Sequence, residues 1–207
     1  MSPMSDSSTT FDARRLDVLT EIVNIGVGQA ANVLNQVVNA HVSLTVPRVE
    51  ILPREELAQR MVDGAGDEEC LSWVELGFRG DMEGAASLLF PREDASKLVS
   101  ALVGETDGSE MDEVRIGTMT EVGNIVLNGI MGSLANIADR RLEYTVPTYS
   151  EGSVDTASRA HGRQAGNVCM VASARFVIEQ LGLDGSVVLF FDVAQIGALV
   201  DGLLAAA

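Results

Sequence analysis

Thr20-Glu21-Ile22-Val23-Asn24-Ile25 and the later Thr45-Val46-Pro47 return one hundred residues on as Thr120-Glu121-Val122-Gly123-Asn124-Ile125 and Thr145-Val146-Pro147. In both copies 22 residues separate the Asn from the Pro. Two chance copies of a spaced motif at one interval are improbable. The chain therefore reads as an internally duplicated fold that keeps one polar pair on the same helix of each half. The likeness extends outward: each half opens with a helical pattern, residues 10–39 and 110–140, and a short extended run into Pro47 or Pro147 follows. An irregular stretch then leads to two strand-like segments, 71–79 and 85–90 in the first half and 168–178 and 186–191 in the second. A shorter helix closes each half at 92–103 and 193–204, where L-L-F-P-R-E-D-A-S-K-L-V-S-A-L and V-L-F-F-D-V-A-Q-I-G-A-L-V-D-G-L are related at an offset of about 101.

Strand pairs joined by short connections such as G-D-M-E-G argue for antiparallel hairpins, and so for an α+β fold rather than a doubly wound parallel sheet. The expected architecture is internally duplicated and pseudo-two-fold, an antiparallel β-sheet covered by long helices. Residues 1–10 are expected to be a flexible tail, 11–104 the first repeat and 109–207 the second, linked at 104–108 and folded as one compact unit.

A length of 207 residues with 46% hydrophobic content is enough for a sizeable core and excludes a disordered chain. The longest apolar run, Ile196 to Ala207, is broken by Asp201 well short of spanning length, and the N-terminus lacks the basic and apolar regions of a signal peptide. A cytoplasmic location is expected. The net charge of −16, with Lys97 the sole lysine, disfavours nucleic acid and anionic membranes as partners. The acids run along the whole chain, which fits a high-salt cytoplasm better than steering toward one basic partner. Cys70 and Cys169 are read as structural thiols, and with His41 and His161 isolated the sequence holds no zinc pattern and no nucleophilic arrangement.

On a helical wheel Leu16, Leu19, Ile22, Val23, Gly26, Ala30, Val33, Leu34 and Val37 form one apolar face. Asp17, Glu21, Asn24 and Gly28 form a stripe on the other side, because steps of four, three and four stay aligned. In the second helix Ile116, Met119, Val122, Val126, Ile130, Leu134 and Ile137 face the core, while Gly117, Glu121, Asn124 and Asn128 face out. A single exposed Glu–Asn pair is usually a solvating face. Repetition changes that, because drift scrambles a purely solvating surface. Gly28 beside the first pair would let a macromolecule approach the backbone closely; Gly26 fits helix packing better. Gly26-x-Gly28-x-x-Ala31 imitates a dinucleotide fingerprint, but it falls in mid-helix, where no backbone N–H is free for phosphate.

The pattern Asp17-x-x-x-Glu21-x-x-Asn24-x22-Pro47, in the context E-I-V-N-I-G-V-G-Q-A-A, resembles the signature of the CheC/CheX/FliY family of chemotaxis phosphatases. The resemblance covers essentially the whole chain after the tail. It implies a phosphatase that hydrolyses the aspartyl phosphate of the response regulator CheY. Asn24 and Asn124 would each insert into the regulator and hold the attacking water in line, while Glu21 and Glu121 would pair with its active-site lysine. Asp17 and Gly28 would support docking, and Pro47 and Pro147 would be architectural. The resemblance implies no cofactor or metal of the protein's own, Mg²⁺ being supplied by the regulator.

One departure is Gly117, where the family pattern wants Asp or Ser, so the first site is expected to be the better one. The resemblance also implies binding of CheD, the receptor deamidase, and a non-enzymatic adaptor for CheD is the alternative reading. A flagellar switch component is a third, disfavoured by the chain's length. A chain carrying two motifs can fill by itself the arrangement that one-motif relatives make by dimerising, so a monomer is expected and an oligomer is left open.

Overall fold

In the computed structural model residues 13–45, 47–53, 56, 70–104, 110–157 and 168–206 are described. The first half contributes α1 (Ala13–Val38), β1 (Val42–Leu44), β2 (Arg48–Pro53), β3 (Leu71–Gly80), β4 (Gly84–Pro91) and α2 (Arg92–Val103). The second contributes α3 (Glu110–Ile137), β5 (Leu142–Tyr144), β6 (Thr148–Gly152), β7 (Val168–Ile178), β8 (Leu183–Asp192) and α4 (Val193–Ala206). The tail 1–10, residues 105–108 of the linker and His161 lie outside the described residues.

The long strands are apolar at nearly every position because both faces of the sheet are buried. Val74, Leu76, Phe78, Leu88, Phe90, Met170, Phe176, Leu189 and Phe191 meet the helices in the main core. Residues of the opposite parity, among them Trp73, Leu89, Val171, Val188 and Phe190, form a second cluster on the other face. Edge-on or tilted ring pairs, Phe90 on Phe176 at 5.3 Å and Phe78 on Phe191 at 5.5 Å, sit under the helix layer.

All eight strands pair antiparallel in the order β1-β7-β8-β4-β3-β5, with β2 continuing β1 along β7 and β6 continuing β5 along β3. The expected mixed helix and antiparallel-sheet architecture is borne out. The halves join by exchange: each places its two short strands against the long strand of the other. The irregular stretch expected after each Pro in fact begins with β2 or β6. These edge strands are short and interrupted by polar residues, so their alternation is faint in the sequence.

Thr-Val-Pro explains the break within each edge. Between the pairs Leu44↔Phe176 and Arg48↔Ser173 the edge advances four residues while β7 advances three. Between Tyr144↔Phe78 and Thr148↔Glu75 the same one-residue excess recurs. Each edge is therefore bulged, and a Pro, having no N–H to donate, fits where pairing lapses. The Thr backbone N–H groups fasten both bulges alike: Thr45 donates to the Arg175 carbonyl at 2.9 Å and Thr145 to the Gly77 carbonyl at 2.9 Å. Their hydroxyls accept in return from Arg175 N–H at 3.0 Å and Gly77 N–H at 2.9 Å.

On the sheet, α1 and α3 lie side by side and antiparallel, Gly26 against Ile130 and Leu134, and Val33 against Gly129. A Cβ on Gly26 would meet Leu134 at 3.0 Å, whereas one on Gly28 would meet nothing within 4 Å. The wheel is corrected at Ile116, near the start of α3, which is 48% exposed rather than facing the core. Lys97 salt-bridges Asp94 at 2.6 Å, and the second Asp94 oxygen accepts Asp184 N–H at 2.8 Å, tying α2 to β8. Gly123 lets α3 descend onto β3, since a Cβ there would stand 2.4 Å from Val74 Cγ1. Gly123→Ala should therefore lower unfolding stability by about 1–3 kcal/mol. Gly28→Ala, with open space around it, should instead gain up to about 1 kcal/mol from helix propensity; urea unfolding of both variants checks the contrast.

Candidate catalytic helix face

Burial of Leu19, Ile22, Val23, Val27, Ala30 and Leu34 fixes the rotation of α1 and turns Asp17, Glu21, Asn24 and Gly28 outward, where all four are exposed. Burial of Met119, Val122, Val126, Leu127 and Ile130 does the same for α3. Glu121 and Gly117 are exposed there, and Asn124 and Asn128 half-buried. Both pairs thus stand on rigid helices supported by the main core. Because the helices run antiparallel, Asn24 lies level with the C-terminal part of α3, and the two pairs are set apart along the layer rather than sharing a cleft.

Details that the sequence reading passed over bear on this face. The apolar residue after each Asn is exposed, Ile25 by 42% and Ile125 by 38%. The signal was present in the repeated Asn-Ile words. In the second half Asn128 Nδ2 donates to Asn124 Oδ1 at 2.7 Å and to the Asn124 main-chain oxygen at 2.8 Å. In the first half the corresponding position is Gly28.

Each long helix is also pinned by an Arg six residues before its Glu. Arg15 donates to Asp201 of α4 through Nε at 2.9 Å and Nη2 at 2.7 Å. Arg115 lies 2.9 Å from Glu151 of β6 and 2.7 Å from Asp112. Glu151 also meets Arg92 at 3.3 Å and accepts a hydrogen bond from the Tyr149 hydroxyl, which contacts buried Ser72 at 3.2 Å. Pro47 is buried and Pro147 half-buried at the edge bulges, so both serve the sheet and neither faces outward with the Glu–Asn pairs. Among the described residues no group of three or more His, Cys, Asp or Glu side chains is arranged to hold a metal ion. No described helix is long and apolar enough to cross a membrane.

The two Glu–Asn pairs are thus displayed on the outer side of two long helices, each followed by an exposed isoleucine. Comparison with known proteins gives this arrangement a context. The family described as chemotaxis phosphatase CheX matches residues 74–170, and the CheC-like family matches residues 15–51. A Halobacterium salinarum protein assigned as the CheY-P phosphatase CheC1 is 21% identical, over 95% of this chain and 100% of its own length. The Bacillus subtilis CheY-P phosphatase CheC is 27% identical, over 66% of each chain. Among solved structures, Thermotoga maritima FliY superposes with a TM-score of 0.72 at 17% identity, over 93% of this chain and 96% of that one. The CheX–CheY–BeF3–Mg²⁺ complex from Borrelia burgdorferi superposes with a TM-score of 0.60 at 17% identity, over 83% and 97%. The chain is thus similar, in sequence and in fold, to chemotaxis phosphatases of the CheC, CheX and FliY kinds.

The Tyr149–Glu151 network that braces α3 has a pH signature. Burial first, then the hydrogen bond to Glu151, pushes the Tyr149 hydroxyl up to about 12 from 10.0. The folded state holds this proton more tightly than the unfolded chain, so the associated stability is full below pH 10 and is lost as pH rises toward 12. Thermal unfolding of wild type should accordingly fall more steeply across that range than unfolding of Tyr149→Phe.

Proposed function

We propose that this protein is a phosphatase that hydrolyses the aspartyl phosphate of CheY, using Glu21 with Asn24 and Glu121 with Asn124 as two catalytic pairs. The observation that carries the reading is the outward presentation of the same pair on each of two core-anchored helices. The relatives' assignment as CheY-P phosphatases and the complex of a like-folded CheX with CheY support it.

The chemistry suits these residue types. An acyl phosphate is already activated, so acceleration needs chiefly one water held in line with phosphorus. A neutral carboxamide can accept from that water through Oδ1 and donate to a phosphoryl oxygen through Nδ2. A carboxylate in its place would repel the phosphate. Glu21 and Glu121, one helical turn before each Asn, are then free to bind a cation of the partner, its active-site lysine. The exposed Ile25 and Ile125 supply apolar contact beside each pair, and Gly28 leaves room for the partner's backbone at the first. Mg²⁺ on this reading belongs to the regulator, and the reaction runs in the cytoplasm.

Decay of phosphorylated CheY should be accelerated by the wild-type protein, and Asn24→Ala with Asn124→Ala together should reduce that acceleration by about a hundredfold. Each single variant should retain part of it. No acceleration at low or molar salt, with or without CheD, would overturn the enzyme reading and leave CheD binding as the better account.

A further inference from the structure

The two asparagines occupy different settings. Asn24 is exposed, and four residues on stands Gly28. Asn124 is half-buried, and four residues on stands Asn128, whose amide bonds both the side-chain and main-chain oxygens of Asn124 at 2.7 and 2.8 Å. We propose that Asn128 is a positioning residue for the second site, holding the Asn124 carboxamide in one orientation before the partner docks. The inference rests on the catalytic role of Asn124 proposed above.

A step of four residues brings the two side chains together on one face of α3. The donated bond engages one of the two acceptor positions on Asn124 Oδ1. The other position, and both Nδ2–H groups, stay available for water and a phosphoryl oxygen. The plane of the amide is thereby set. Ordering a free side chain at an interface costs binding or catalytic free energy, and a side chain already ordered escapes that cost. The first site lacks this device but carries Asp17 one turn before its Glu, where the second has Gly117. One site is thus equipped with an extra docking carboxylate and the other with a pre-oriented amide. The asymmetry should appear as a KM advantage at the first site and a kcat advantage, per engaged partner, at the second.

The test uses the full chain with Asn24→Ala, so that only the second site reports. Adding Asn128→Ala should lower kcat for phosphorylated CheY about three- to tenfold with KM unchanged. Side-chain amide NMR signals of Asn124 in the free protein should report an ordered group in wild type and a mobile one in Asn128→Ala, with the unfolding midpoint unaltered. An unchanged or raised kcat, or an Asn124 amide equally ordered without Asn128, would overturn the inference. If Asn24→Ala with Asn128 intact shows no activity at all, the catalytic reading of Asn124 fails instead, and the NMR comparison still decides whether Asn128 orders it.

Discussion

Neither half of this chain can close its own sheet, and the rest of the structure follows from that constraint. β1 and β2 find their backbone partners on β7, and β5 and β6 find theirs on β3, so the hydrogen-bonding needs of each half are met by the other. The exchange, together with the central β4–β8 pair, yields one continuous surface on which two long helices lie antiparallel. Gly26 admits Leu134 at the helix contact, and Gly123 brings α3 down to Val74. The polar stripes then point outward by consequence, because rotating either helix would expose its buried leucines, isoleucines and valines.

That arrangement gives a scaffold suited to a partner's cleft. Side chains on rigid helices keep their direction better than side chains on loops, which matters when catalysis consists mainly of placing one water. The energetics of the support are layered. The apolar core does most of the work, while ion pairs such as Arg15–Asp201 and Arg115–Glu151 add small amounts and specify which neighbour each helix end meets. The acidic surface adds a long-range field that favours basic patches on a partner and weakens with salt.

Much of this was legible in the sequence, for identifiable reasons. The helix periodicity is strong and long, so the exposure of Glu21, Asn24 and Glu121 could be read from the wheel, whereas Asn124 is half-buried beside Asn128. Thr-Val-Pro could be read as the end of a short extended run, because Pro restricts where pairing is possible, but not as a bulge within an edge that continues beyond it. The strand exchange could not be read, because nothing local tells β2 or β6 which long strand it will pair with. Ile116 was misplaced because periodicity gives a residue's face but not whether a neighbour covers it near a helix end. The Asn124–Asn128 bond was hidden for a different reason: two amides at i and i+4 read as a solvating stripe, and only rotamers reveal that they meet.

The central claim is that the partner meets the α1–α3 face and not the sheet. The most direct measurement is an NMR titration of this protein with beryllofluoride-activated CheY, following the side-chain amides of Asn24 and Asn124 and the indole of Trp73, the one tryptophan, buried on the opposite face of the sheet. Shifts or broadening at the asparagines with Trp73 unmoved is the predicted result. Perturbation at Trp73 or along the β1–β2 edge, with both asparagine amides unaffected, would contradict the account.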